Sequence, residues 1–142
     1  MYLLDTMVLS ELRKTQIDRR VAAWFRSVRP ADLFLSAITI AEVEAGIEKQ
    51  RSANAAFADR LQAWLETVIR VYADRVLPID AGTARRWGQL VARIGHEGLD
   101  LAIAATALEH GLAMATRNVA HFAPTGVATV NPFGPRRGRM KP

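Results

Sequence analysis

Three acidic residues lie at positions where a solvated surface charge is not expected. Asp5 directly follows an apolar run at residues 2–4, which predicts that it emerges from the end of a buried strand. Glu42 ends a mostly apolar segment, and Asp100 precedes residues 101–108, which are apolar nearly all round a helix. Clustered carboxylates favour Mg²⁺ or Mn²⁺. Such an ion lowers the pKa of bound water and stabilises a transferring phosphoryl group, which is the chemistry expected if the three side chains meet.

Helix capping is a simpler role that suits the same residues. Asp5 would cap a helix that begins near Thr6. Thr39 and Glu42 have the spacing of a capping box, and Asp100 would gain from the dipole and the free amides at the start of its helix. If the carboxylates converge instead, repulsion and desolvation would raise their pKa values unless a cation lies between them. The residue types alone leave both roles open.

The rest of the sequence excludes several other classes of site. It has no cysteine, and its three histidines lie too far apart in sequence to form a local zinc motif. It also contains no dinucleotide-binding glycine turn, no phosphate-binding loop and no serine nucleophile elbow. The longest uncharged stretches, such as 33–41 and 101–108, are far shorter than the ~20 residues of a membrane span. We therefore predict a cytoplasmic protein that does not enter the membrane.

The net charge of +5 is concentrated at one end of the chain. Four of the 19 basic residues lie in residues 134–142, where there is no acid, so the remainder carries 15 basic against 14 acidic residues. We predict a single domain over residues 1–133 and a basic, disordered tail over 134–142, with non-specific RNA contact as a second role for the tail. A polyanion would have to be held by a local patch, a metal ion or the tail, rather than by a general positive field.

Short apolar runs alternate with helical patterns along the whole chain. This alternation predicts an α/β fold, an open parallel sheet flanked by helices, in which ligands bind at the carboxyl ends of the strands. The expected strands cover residues 2–4, 33–35, 76–79, 113–115 and 127–130. The expected helices cover residues 6–13, 19–28, 39–49, 55–73, 81–94 and 100–110. Trp24 and Trp64 recur with apolar neighbours at helical spacing, which predicts core packing for both.

Four blocks, in this order, resemble those of the PIN-domain ribonucleases and most closely the VapC-type toxins of bacterial toxin–antitoxin modules. They are YLLDT at residues 2–6, LSxxTxxE at 35–42, DxxIAATA at 100–107 and TRN at 116–118. Each block is weak alone, but the ordered set is specific. The resemblance runs from residue 2 to about residue 133 and implies a Rossmann-like sheet.

The resemblance also implies a site and partners. Asp5, Glu42 and Asp100 would be catalytic residues that bind one or two Mg²⁺ or Mn²⁺ ions for the hydrolysis of RNA. Four further residues would orient ligands, water or the scissile phosphate, namely Thr6, Ser36, Asn118 and His121. The resemblance further implies that the chain forms a homodimer, which a cognate antitoxin silences. Ile47, Phe57 and Leu61 would then either line the antitoxin groove or pack in the core.

Three departures from the family pattern bear on activity. Met7 replaces the usual Asn and lacks its amide donors. His121 replaces the usual Asp, which weakens Mg²⁺ binding and favours Mn²⁺, unless this histidine merely packs or caps near Asn118. The connection 95–99 is shorter than usual and shifts the expected place of Asp100.

Two main hypotheses follow from these residues. The first is a metal-dependent endoribonuclease toxin, slow or Mn²⁺-preferring because of Met7 and His121. The second is a catalytically weakened PIN domain that binds an antitoxin or RNA. A phosphoryl-transfer domain with Asp5 as nucleophile is disfavoured, because such sites recruit a lysine and the sequence has only Lys14, Lys49 and Lys141.

Overall fold

A five-stranded parallel sheet forms the centre of the computed structural model, which describes residues 1–135. The strand order is β3-β2-β1-β4-β5. In chain order the strands are β1 Tyr2–Leu4, β2 Leu33–Ser36, β3 Val76–Leu77, β4 Ala113–Ala115 and β5 Thr129–Val130. The expected fold class is therefore confirmed. β3 is shorter than predicted because Pro78, which has no N–H to donate to the ladder, follows Leu77 directly.

Helices cover both faces of the sheet. They are α1 Thr6–Glu11, α2 Arg19–Ser27, α3 Ala37–Arg51, α4 Ala55–Tyr72, α5 Ala81–Ile94, α6 Leu99–Glu109 and α7 Val119–Phe122. The first six were predicted, whereas α7 was not. No helix within residues 1–135 is both long and apolar enough to cross a membrane.

Two helix starts differ from the capping predictions. The Ser36 hydroxyl accepts the N–H of Ile38, so α3 begins at Ala37 and Thr39 lies inside the helix. The predicted capping box of Thr39 and Glu42 is therefore wrong. Gly98 occupies the cap position of α6 without a side-chain bond, and Asp100 lies in the first turn instead. Because Glu42 does not take part in a capping box, its side chain is available to face the carboxyl edge of the sheet.

Apolar residues fill the space on both sides of the sheet. Successive β1 residues point to opposite faces, so Leu3 packs with Ile103 in one cluster and Leu4 packs with Leu35 in the other. The apolar part of α6 is buried from Leu101 to Ala107, as its pattern predicted. This packing holds the carboxyl ends of the central strands in place.

A smaller apolar cluster joins α3 to α4. Ile47 is only 1% exposed in this cluster, so its core role is confirmed, and Trp64 packs against the same cluster. Phe57 and Leu61 are half-buried and line a groove beside it. Trp24 packs in the larger core and meets the Tyr2 ring edge-on at 5.1 Å. The predicted tail boundary at residue 133 stays a prediction, since residues 136–142 lie outside the described part of the chain.

Candidate active site

The carboxyl ends of the three central strands bring polar side chains to one edge of the sheet. Asp5 follows β1, Ser36 ends β2 and Thr116 follows β4, and all three are buried. The Asp5 N–H continues the ladder by donating to the carbonyl of Ala115 at 2.9 Å. Because the strands are parallel, these positions coincide in space although they are far apart in the sequence.

Asp5 is held through both of its carboxylate oxygens. Oδ1 accepts the N–H of Thr6 at 2.8 Å, and Oδ2 accepts the hydroxyl of Thr116 at 2.8 Å. The first bond is the helix cap that the sequence suggested, so capping by Asp5 is confirmed. Burial raises the pKa of Asp5, and the nearby charge of Asp100 adds to this effect, while the bonds from Thr116 and Thr6 oppose it. Each carboxylate oxygen retains capacity for a further donor or a cation.

Glu42 reaches the same edge from α3. Its Oε2 accepts the hydroxyl of Thr6 at 3.3 Å, so Thr6 contacts Asp5 through its backbone and Glu42 through its side chain. The pKa of Glu42 is raised by burial first and then by the charges of Asp100 and Asp5, while the Thr6 bond opposes the rise. The three predicted acids therefore lie close enough to influence one another electrostatically.

Asp100 pairs with His121. Nε2 of His121 lies 2.7 Å from Oδ2 of Asp100, and the two side chains are 50% and 45% exposed. The His121 backbone N–H also donates to the carbonyl of Asn118. His121 is thus more than a packing residue, because it occupies an oxygen of a predicted metal ligand.

Three further side chains complete this edge. The Asn118 N–H donates to the Thr116 hydroxyl at 3.0 Å, which links Asn118 to Asp5 through one intermediate group. Nδ2 of Asn118 donates to Sδ of Met7 at 3.7 Å, so the thioether is a weak acceptor at the place of the usual amide. Sequence reasoning did not select Thr116 as a site residue, although it directly follows a short apolar run, as Asp5 does.

The charge balance of this edge favours a cation. In the described range neither Asp5 nor Glu42 has an Arg or Lys nitrogen within 4.0 Å, and burial raises the pKa of both carboxyl groups. Hard oxygen donors in this setting suit Mg²⁺ or Mn²⁺. As they stand, however, no three Asp, Glu or His side chains of residues 1–135 are grouped so that they could hold a metal ion. His121 is a competitor for Oδ2 of Asp100, and the metal-ligand role of the three acids stays a prediction.

Open space adjoins the acidic edge on two sides. A cavity of about 600 Å³ is bordered by Arg117, Asn118 and His121. A groove of about 250 Å³ between α3 and α4 contains Thr6 and Glu42. The edge is therefore accessible to an extended ligand rather than enclosed within the fold.

Comparisons with known proteins agree with this geometry. The PIN domain family profile matches residues 2–123. The VapC ribonuclease Y4jK of Sinorhizobium fredii is 37% identical over 95% of this chain and 99% of its own length. Toxin FitB of Neisseria gonorrhoeae is 35% identical over 94% and 99%, respectively. The crystal structure of FitAcB from Neisseria gonorrhoeae matches 94% of this chain and 99% of its own chain, with a TM-score of 0.83 and 37% identity.

These matches cover nearly the full length of the chain and include all four blocks that carried the resemblance. The α/β topology has the form that the resemblance implied. The chain belongs to the PIN domain family, in its VapC-type branch.

Proposed function

We propose that the protein is a metal-dependent endoribonuclease toxin. The observation that carries this proposal is that Thr6 joins Asp5 to Glu42 at the carboxyl edge of the sheet, through its backbone N–H and its hydroxyl, respectively. The charge of Asp100 also raises the pKa of both acids. Two relatives that match over nearly their whole length are named a VapC ribonuclease and a toxin, which supports the same activity class.

The three acids would hold a Mg²⁺ or Mn²⁺ ion, directly or through water. When bound, such an ion supplies a coordinated water of lowered pKa and stabilises charge on the scissile phosphate. Thr116 and Thr6 keep the Asp5 carboxylate in one orientation. Ser36 caps α3 and so sets the position from which Glu42 projects.

Hydrolysis of the phosphodiester forms a bond from water oxygen to phosphorus and breaks one ester P–O bond. The attacking water must give up a proton, and a carboxylate with a raised pKa is better matched to that task than an ordinary one. Glu42 is partly exposed and reaches this edge from α3, so we assign it the role of proton acceptor, with any contact to the ion made through water. The oxygen that leaves phosphorus remains on the released RNA fragment and takes up a proton from solvent. Asn118, one contact removed from Asp5, would orient the phosphate or the water.

A cognate antitoxin and a homodimer belong to the same proposal. The expectation of an antitoxin is supported by the similarity to toxin FitB and to the FitAcB structure. Co-expression with the product of a neighbouring short reading frame should yield a stable complex that suppresses cleavage. Light scattering on the purified chain should give twice the mass of 15.7 kDa if the homodimer forms.

The direct test is cleavage of a structured RNA with Mg²⁺ or Mn²⁺ by the wild type, Asp5→Asn and Asp100→Asn. Loss of a ligand or of a catalytic carboxylate should lower the rate by about 10²-fold or more. Asp59→Asn is a matched control, because Asp59 lies on α4, is 73% exposed and pairs with Arg51 away from the acidic edge. Equal cleavage by all four proteins would remove the assignment.

A weakened PIN domain that only binds an antitoxin or RNA is the second candidate. It is favoured by the His121–Asp100 pair and by the absence, within residues 1–135, of a metal-binding group in place. Met7→Asn together with His121→Asp would restore the usual family residues at both positions. Activity that emerges only in this double variant would support the second candidate, whereas a wild type that already cleaves RNA would support the first.

A further inference from the structure

A basic cleft lies next to the groove that contains Glu42. It has a volume of about 710 Å³ and is bounded by the turn after α1 and the first turns of α4. Its lining is formed by Arg13, Lys14, Thr15, Gln16, Phe57 and Arg60. No acidic side chain of residues 1–135 contributes to this lining, in contrast to the edge of the sheet nearby.

Two guanidinium groups in the cleft are fixed by one aromatic ring. Arg13 and Arg60 place their guanidinium carbons 6.0 and 5.7 Å from the centre of the Phe57 ring. Phe57 and Arg60 are three residues apart on α4 and so share one helix face. Cation–π contact restrains both arginines, which lowers the entropy that a ligand would have to overcome.

Both arginines keep their hydrogen-bonding capacity available. Each is exposed, and among the described residues neither has a carboxylate partner within 4.0 Å or donates a side-chain hydrogen bond. Lys14, by contrast, pairs with Glu11 at 2.7 Å. Arg13 and Arg60 are therefore the groups of the cleft that are ready to receive an anion, and the planar guanidinium matches phosphate oxygens in a bidentate manner.

The cleft is continuous with the candidate active site. Arg13 and Phe57 line both the basic cleft and the neighbouring groove that holds Thr6 and Glu42. A ligand in the cleft can therefore extend along the groove to the acidic edge. An acidic edge repels a polyanion, and the chain outside residues 134–142 has almost no net charge to offset this repulsion.

We propose that Arg13, Phe57 and Arg60 form an anchor for the sugar–phosphate backbone of a single RNA strand, beside the phosphate to be cut. This inference rests on the proposed ribonuclease function and names the residues that hold its substrate. The two arginines contact phosphates, and Phe57 keeps them in position and presents its free edge to the strand. The anchor is independent of base sequence, since phosphates carry no sequence information.

The test measures binding without cleavage. Full-length wild type, Arg13→Ala, Arg60→Ala and the double variant are titrated against a fluorescein-labelled single-stranded oligouridylate in EDTA, with fluorescence anisotropy read at several salt concentrations. Each lost phosphate contact should reduce the slope of log affinity against log salt by about 0.7, which is about fivefold in affinity near 0.1 M salt. The double variant should thus bind about 25-fold more weakly. Arg85→Ala, an exposed arginine on α5, is the matched control and should bind as the wild type does.

Phe57→Leu separates the ring from the charges. It retains an apolar side chain but frees both guanidiniums, and it should weaken binding by a few fold without a change in the salt slope. Thermal melts of every variant would check that the fold is intact. If Phe57→Leu does not fold, the arginine variants on the surface still decide the question.

The possible outcomes distinguish a failure of this inference from a failure of the proposed function. RNA binding that depends on Arg13 and Arg60 in a protein that never cleaves would support the anchor and contradict the nuclease. Cleavage with an increased KM and an unchanged kcat in the double variant would support both. If the double variant binds RNA within twofold of the wild type, at the same salt slope, the anchor is overturned. If that variant binds RNA normally but no longer binds an acidic antitoxin segment, the cleft is instead identified as a protein-docking site.

Discussion

We expect the acidic edge to make the stability of this protein depend on divalent cations. Burial raises the pKa of Asp5, so its ionised form is more costly in the folded chain than in the unfolded one. The sign follows from linkage: this cost is absent below the ordinary pKa of about 3.9 and sets in as the pH rises through the higher folded-state pKa. Above that folded-state pKa the folded protein carries the full cost, and a cation bound at this edge would offset it.

The size of the effect follows from ligand linkage. A cation at one hundred times its dissociation constant stabilises the folded state by about 2.7 kcal/mol. For a domain of this length, about 3 °C of Tm corresponds to each kcal/mol, so Mg²⁺ or Mn²⁺ should raise the Tm of the wild type by about 8 °C.

Asp5→Asn should abolish this increase. Asparagine offers one acceptor oxygen to the two donors that Asp5 satisfies, Thr6 N–H and Thr116 O–H, and one lost bond costs about 1–3 kcal/mol. Removal of the buried charge offsets part of that loss. We therefore expect a metal-free stability within about 2 kcal/mol of the wild type, together with no response to the cation.

Thermal melts by circular dichroism at pH 7, first in EDTA and then with Mg²⁺ or Mn²⁺, measure both quantities. Asp59→Asn removes the same charge at an exposed position and should keep the full metal response. A wild type whose Tm does not change with millimolar Mn²⁺, or an Asp5→Asn variant that responds equally, would refute the cation site.

Two other substitutions probe single buried contacts. Glu11→Gln should destabilise the protein by about 1–2 kcal/mol at pH 7 in urea titrations, because the hydrogen bonds from Lys14 and from the Asp18 N–H lower the pKa of Glu11. This difference in stability should disappear as the pH falls through that lowered pKa. A constant difference down to pH 3 would contradict the prediction. Thr116→Val should remove a hydrogen-bond donor from Asp5 and raise the pKa of Asp5 further. The acid limb of the pH–rate profile should therefore move to higher pH. An unchanged limb would show that ionisation of Asp5 does not limit the rate.

Periodicity was sufficient to predict the five strands and the first six helices, but not α7. Apolar runs of two to four residues marked the strands, and the run of α6 was apolar on every face because it is buried between other elements. The exact start of α3 was harder to predict. Ser36 and Thr39 are both good caps by residue type, and only the strand geometry of β2, which ends at Ser36, decides between them.

The acids of the site could be selected from the sequence, but their partners could not. Asp5 and Asp100 are unusual beside apolar runs, and that is a local signal. The pair between His121 and Asp100 depends on how α7 lies against α6, which no local pattern encodes. The Thr116 bond to Asp5 likewise depends on the adjacency of β4 and β1.

The position of β1 at the centre of the sheet affects when the acidic edge can form during synthesis. The hydroxyl that orients Asp5 belongs to Thr116, which lies 111 residues later in the chain. The backbone bond from Asp5 to Ala115 is delayed in the same way. During synthesis Asp5 is therefore made long before the group that orients it, and we expect the acidic edge to form only after β4 and Thr116 have been added.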